Sequence, residues 1–223
     1  MNTGNMYDQK ETGYFSHIRR EIADAVPKGI GRLLDVGCGE GLTALYLKEQ
    51  GRCTWVGGIE VAAGPAKIAE SRLDTVVVGN LETIELPFEE GSIDTILCLD
   101  VLEHLVDPWL AVGRLSRLLR PGGTIIASVP NVRSLKVLLP LIFRDQFKYC
   151  DAGILDRTHL RFFTRRTATE LLQGPNLKVV RVQPLWGRNT GFLNRITFSV
   201  LSNFWASQFL VVSVTTDSER GTR

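Results

Sequence analysis

Short apolar runs closed by a glycine or an acid recur along the first two thirds of the chain, each followed by a segment with helical spacing. Ile18, Ile22, Ala25 and Val26 share one helical face, and Pro27 stops it. This predicts a leading helix over residues 16–26, inside an N-terminal helical segment, residues 1–29. Residues 32–37 (RLLDVG) read as a buried parallel strand feeding a tight turn. Residues 42–50 are helix-like and close at Gly51, a natural C-cap. A strand over 53–60, a helix over 62–73 and a strand over 75–79 follow. Residues 92–99 (SIDTILCL) form a fourth strand. Asp107 then reads as an N-cap, with Pro108 at the first helical position. The helix they open places Val112, Leu115 and Leu119 on one face. Pro121, Gly122 and Gly123 make a turn before a fifth strand over 124–129.

Five such alternations predict an α/β fold in which a parallel sheet carries helices on both faces. Ligands of these sheets bind beyond the carboxyl ends of the strands, where strand order reverses. After Val129 the rhythm breaks. Residues 131–163 are long for a plain connection and contain the apolar piece 134–143, with Pro140 inside it. This reads either as a kinked helix packed on the body or as a small cap insertion over the substrate pocket, and we favour the cap. Thr167 and Glu170 have capping-box spacing at the start of a helix running to Gly174. Residues 177–186 and 208–216 are strand-like, with the apolar segment 191–205 between them. Two closing strands without an alternating helix suggest an antiparallel hairpin at the sheet edge, and the polar tail 217–223 reads as frayed.

Composition narrows the picture. With 223 residues and 44% hydrophobic side chains, the chain suits one domain, residues 1–223, with a sizeable core. The net charge is only +2, which gives little long-range pull on nucleic acid. Cys38, Cys53, Cys98 and Cys150 are too far apart for a zinc or redox motif and read as reduced thiols of a cytoplasmic protein. The polar N-terminus lacks the apolar stretch of a signal peptide, and no run approaches the ~20 apolar residues that span a bilayer.

The strongest local signal is LLDVGCGEG, residues 33–41. Gly37, Gly39 and Gly41 let the backbone turn tightly after the first strand and approach a ligand. The spacing is G-x-G-x-G, not the G-x-G-x-x-G of dinucleotide sites. Asp35 ends the strand, placed to attract a ligand ammonium group. Glu60 ends the second strand, at the right distance to accept hydrogen bonds from two ribose hydroxyls. Taken alone, Asp35 reads first as an N-cap and Glu60 as a solvated strand end. Together they favour a ligand with a ribose and an amino acid end. A pyrophosphate beside Asp35 would meet a repulsion of about 4 kcal/mol at ~4 Å and an effective dielectric near 20.

These residues resemble the first motif of class I S-adenosylmethionine-dependent methyltransferases. The resemblance extends in order through residues 79–88, 92–105 (SIDTILCLDVLEHL) and 118–131 (LLRPGGTIIASVPN). It implies a Rossmann-like, mostly parallel seven-stranded sheet with a C-terminal antiparallel hairpin. It also implies S-adenosyl-L-methionine as cofactor, with Asp35, Gly37, Cys38, Gly39, Gly41, Glu60, Val61, Asn80, Leu81, Leu99 and Asp100 as its binding residues. Asn80 stands where the family often has aspartate, and its carbonyl would still accept from the adenine amino group. DVLEHL and DRTHLRFFT (residues 156–164) are similar to methyltransferases of bacterial natural-product and cell-surface glycan clusters, and to ubiquinone-biosynthesis O-methyltransferases. The implied substrate is a small molecule or a glycan or lipid precursor.

Methyl transfer then needs an acceptor held in line, with positioning supplying roughly 7–11 kcal/mol of barrier reduction and a general base less. His104 and His159 are the candidate bases, since imidazole accepts a proton near neutrality. His104 reads equally as a brace of the cofactor pocket, and His159 as part of an ion-paired turn. Arg157 and Arg161 are candidates to hold a substrate carboxylate or phosphate. Asp100, Glu103 and His104 also have the donor types for a divalent cation, although one loop would point some of them apart. The apolar stretches 135–143 and 192–205 read first as core, and secondarily as weak membrane-surface contacts. Three other readings stand beside the methyltransferase: an NAD-dependent oxidoreductase or epimerase, a nucleic-acid methyltransferase and a non-catalytic cofactor-binding module. The glycine spacing and Asp35 oppose the first. Near-neutral charge and LDVLEH in place of an Asn-Pro-Pro-aromatic tetrad oppose the second, and the intact glycine loop with Glu60 opposes the third.

Overall fold

A computed structural model describes residues 15–186 and 202–216. The apolar runs become seven strands: β1 Ile30–Val36, β2 Cys53–Glu60, β3 Thr75–Val78, β4 Ile93–Leu99, β5 Leu119–Pro130, β6 Leu177–Leu185 and β7 Gln208–Thr215. They form one sheet in the order β3-β2-β1-β4-β5-β7-β6. The pairs among β1 to β5 are parallel, while β7 runs antiparallel between β5 and β6. Order reverses between β1 and β4, so the carboxyl ends of β1, β2 and β4 open onto one crevice.

The pleat explains why both faces of the sheet can be covered. Neighbouring strand residues point to opposite faces. Leu34, Ile96 and Ile125 accordingly enter one core cluster, and Leu33, Leu97 and Ile126 the other. Each fully buried side chain of this size contributes roughly 1.5–3 kcal/mol through burial. A polar pair interrupts this lining: the Thr95 and Thr124 hydroxyls hydrogen-bond at 2.9 Å between register partners of β4 and β5. The helices are α1 Leu42–Glu49, α2 Ala63–Ala69, α3 Pro108–Leu118, α4 Leu135–Arg144, α5 Arg165–Leu172 and α6 Ser202–Trp205. α3 begins as its sequence dictates: the Asp107 side chain accepts from the Leu110 amide at 2.9 Å, and Pro108 sits in the first turn.

Several local expectations need correction. The leading helix is only a 3-10 segment, Arg20–Ala25. Residues 15–19 bond to the body instead: the Glu40 amide donates to the Phe15 carbonyl at 3.2 Å, and the Arg19 amide to the Thr43 hydroxyl. Leu119 leaves the face of α3 and begins β5, which also takes in the turn expected at Pro121 to Gly123. The capping box of α5 is built one turn earlier, with Thr164 as N-cap and Thr167 as the reciprocal partner. Glu170 pairs with Arg166 on the exposed face instead. Part of the apolar segment 191–205, the tail and residues 1–14 lie outside the described residues.

Candidate active site

The glycine turn after β1 is stapled to the end of β2. The Gly37 and Cys38 amides donate to the Ile59 carbonyl at 2.8 and 3.1 Å, and the Gly39 amide donates to Glu60 Oε2 at 2.8 Å. Gly37 and Gly39 both have positive φ. A Cβ on Gly37 would lie 2.5 Å from Val101 Cγ2, and one on Gly39 would lie 2.7 Å from the Phe15 carbonyl oxygen. The turn is therefore closed to side chains, which keeps its backbone bare along a cavity of about 920 Å³. That volume sits toward the top of the range of roughly 300–1,000 Å³ typical of small-molecule sites.

Asp35, Gly37, Cys38, Gly39, Glu60, Val61, Asn80, Leu81, Leu99 and Asp100 all line this cavity, as does His104. Gly41 does not. It opens α1 behind the turn, against Leu73. Asp35 is 3% exposed, and its carboxylate accepts no hydrogen bond among the described residues. Burial, reinforced by the nearby Glu60 charge, raises its pKa to about 7 against the opposing pull of Arg19. A buried carboxylate without a donor on the rim of a cavity suits a ligand cation. Burial also raises the pKa of Glu60, whose second oxygen accepts from the Ala62 amide at 2.9 Å. Each carboxylate oxygen has a further lone pair, so Glu60 keeps capacity for two hydroxyl donors. The Asn80 carbonyl oxygen accepts from the Glu82 amide at 2.9 Å, which fixes the side chain in a local turn. Burial pushes the Cys38 thiol up, so it lines the turn as a neutral, weakly polar surface.

Asp100 occupies the left-handed region at φ 57. Its carboxylate pairs with the Arg19 guanidinium and accepts from Gln208 Nε2 at 2.7 Å and the Ser128 hydroxyl at 3.2 Å. Arg19 also donates to Gln208 Oε1 at 3.1 Å. The N-terminal strap and β7 are thus tied together at the end of β4. Phe15, His17, Arg19, Gln183 and Gln208 line the cavity and were not singled out from the sequence. Their segments carry no motif. Ser128, a polar residue inside the apolar run TIIASV, was the one visible signal of this network.

Behind the cavity, Glu103 is fully buried and neither carboxylate oxygen has a hydrogen-bond partner among the described residues. Burial, with the Asp100 charge added, holds its pKa well above the usual carboxylate value. His104 and His159 stack edge to face at 4.7 Å between ring centroids. Nδ1 of His104 lies 3.1 Å from the Thr158 carbonyl, and Nδ1 of His159 lies 3.0 Å from that of Ile154. A carbonyl only accepts, so both Nδ1 atoms donate, and in a neutral ring the lone pair falls on Nε2; Nε2 of His159 lies 4.0 Å from Glu103 Oε1. Ligand atoms of Glu103, His104 and His159 all lie within 4.8 Å of one another, a donor set able to hold a divalent cation. Asp100, the loop's other acid, is not part of this set and is engaged by Arg19 and Gln208.

The insertion 131–163 supplies none of the described cavity lining. Its Leu160 and Arg161 amides donate to the Glu103 carbonyl, so it braces the Leu102–His104 turn from behind. His159 is buried there and not in the cavity. Arg157 faces Asp151 at the surface, at 3.5 Å. Arg161 donates to the Val106 carbonyl and lies over the Trp109 ring. Neither arginine reaches the cavity, because local carbonyls and a carboxylate engage them first.

Crevice, bare glycine turn and paired strand-end carboxylates define the class: an α/β protein built to hold a nucleoside bearing a positive amino acid end. A family model described as a methyltransferase domain matches residues 8–182, and the chain belongs to that family, whose cofactor is S-adenosyl-L-methionine. It is 30% identical over 117 residues to a ubiquinone biosynthesis O-methyltransferase of Acinetobacter baylyi, covering 50% of this chain and 48% of that protein. It is 32% identical over 111 residues to 27-O-demethylrifamycin SV methyltransferase of Amycolatopsis mediterranei, covering 47% and 40%. These matches thus span half or less of the relatives' length. An S-adenosylmethionine-dependent methyltransferase structure from Mesorhizobium loti superposes with a TM-score of 0.61 at 16% identity, over 87% of this chain and 96% of that one. At that identity the likeness speaks for the fold.

Proposed function

We propose that this protein methylates a hydroxyl of a small molecule or of a glycan or lipid precursor, using S-adenosyl-L-methionine. The observation that carries this reading is the buried Asp35 carboxylate, with no hydrogen-bond donor among the described residues, beside Glu60 at the cavity wall. When bound, the cofactor supplies an electrophilic sulfonium methyl group. Asp35 then receives the ligand ammonium, and Glu60, preset by the Gly39 and Ala62 amides, accepts from the ribose hydroxyls. The bare turn at Gly37 to Gly39 lets the backbone lie close to the ligand, while Val61, Asn80, Leu81 and Leu99 form the wall around its base. His104 is the base for the acceptor hydroxyl: the Thr158 carbonyl fixes its tautomer, so Nε2 is the proton acceptor. His159 supports His104 by ring contact, and Arg157 and Arg161 hold the insertion in place. Both relatives named above are O-methyltransferases or act at an oxygen by their names, which supports oxygen as the acceptor atom.

His104→Ala tests the assignment. Turnover, followed as S-adenosylhomocysteine release with a catechol-type acceptor, should fall by about 10²–10⁴-fold, the usual share of a general base. Cofactor affinity by calorimetry should move little. Intact turnover, or a loss confined to cofactor affinity, would reduce His104 to a brace.

A further inference from the structure

α4 turns only one residue firmly inward. Val137 is buried, while Leu139, Ile142 and Phe143, spaced as one helical face, point outward. Ile142 is 67% exposed and Phe143 76%. An apolar groove on this helix lies between Leu135, Leu139 and Phe143. The chain beyond the helix continues the surface: Phe147 and Tyr149 are exposed and stack on Phe162. Within residues 135–149, Lys136, Arg144 and Lys148 are exposed and only one acid, Asp145, stands among them, in a chain whose total charge is only +2.

We propose that α4 and the segment following it dock in the plane of an anionic phospholipid bilayer. Exposed leucine, isoleucine and phenylalanine would enter the acyl boundary, with lysine and arginine at the headgroup level. Tyr149 and Phe147 have the amphipathic form that favours the interface. The ten-residue helix is far too short to cross, and no helix among the described residues is long and apolar enough to do so. Charge selects the occupant. A two-fold contact with a second copy would bring Lys136, Arg144 and Lys148 toward their own equivalents, whereas anionic lipid complements them. None of these residues lines the cavity, so this inference stands apart from the methyl-transfer reading.

Co-sedimentation tests it with the full chain and two vesicle preparations, phosphatidylcholine alone and phosphatidylcholine mixed with phosphatidylglycerol. The protein should pellet with the mixed vesicles, stay in solution with the neutral ones, and be released by high salt. Lys136→Glu/Arg144→Glu and Ile142→Asp/Phe143→Asp should each weaken partitioning by more than about tenfold. Their cofactor affinity and unfolding midpoint should match wild type, which separates lost docking from lost folding and from the enzyme assignment. Absence of wild-type pelleting with mixed vesicles would overturn the proposal, as would equal pelleting with both preparations. A concentration-dependent dimer abolished by Phe143→Asp, without vesicle binding, would overturn it too and assign the face to a second copy.

Discussion

At the scale of single residues, three carboxyl groups at and behind the cavity are held in different ways. Glu60 is held by two backbone amides, Asp100 by Arg19, Gln208 and Ser128, and Glu103, among the described residues, by nothing that donates to its oxygens. A buried carboxyl that accepts no hydrogen bond, with only His159 Nε2 at 4.0 Å, stays protonated. Because the folded-state pKa of Glu103 is raised, the folded protein keeps a proton that the unfolded chain releases above about pH 4.3. Stability contributed by this site is therefore fully present at low pH and declines as pH rises above that value. Glu103→Gln, neutral and similar in shape, should remove that decline. Urea unfolding in the presence of a chelator should show a smaller loss of stability for the variant than for wild type between about pH 5 and about pH 8. Parallel curves for the two proteins would show that Glu103 is ionised in the native state. The sequence announced the carboxylates at strand ends, where position alone implies a role. It did not announce the burial of Glu103 or His159, since each is buried against the other's segment, 54 positions apart at His104 and Thr158.

At the scale of elements, strand periodicity carried most of the information. Runs such as LLDV and TIIASV become β1 and β5 because alternate residues have two different cores to fill. The elements misjudged from sequence are those whose hydrogen bonds go elsewhere. Residues 16–26 have helical spacing, yet at the start of that run the Phe15 carbonyl serves Glu40 and the Arg19 amide serves Thr43, so tertiary contacts replace the helical ladder there. The insertion 131–163 was expected over the cavity, but backbone bonds to the Glu103 carbonyl hold it behind the turn. The strap and the glycine turn are one unit on this account. Gly39→Ala places a Cβ against the Phe15 carbonyl and forces alanine into positive φ, at a cost of roughly 1–2 kcal/mol from conformation alone. The variant should melt at a lower temperature and bind cofactor more weakly in the same preparation. A stable variant with normal affinity would show that the strap does not need the bare turn.

At the scale of the whole molecule, strand order turns scattered sequence signals into one site. Asp35 and Glu60 are separated by a helix in the chain, but β1 and β2 are neighbours in parallel register, so both acids finish at the same crevice. β4 adds Leu99 and Asp100 from the other side, and β7 returns to supply Gln208. The central claim is that Asp35, nearly half protonated near neutrality, becomes the partner of the cofactor's ammonium group. Binding that cation favours the ionised carboxylate, so affinity must rise with pH through the Asp35 pKa of about 7. Calorimetric titration of S-adenosyl-L-methionine from about pH 5.5 to about pH 7, below the ionisation of the ligand's amino group, measures this directly. Wild type should gain affinity across the window, approaching tenfold per pH unit at its acid end, and Asp35→Asn should bind more weakly with that gain abolished. Equal affinity and identical pH profiles for the two proteins would contradict the account.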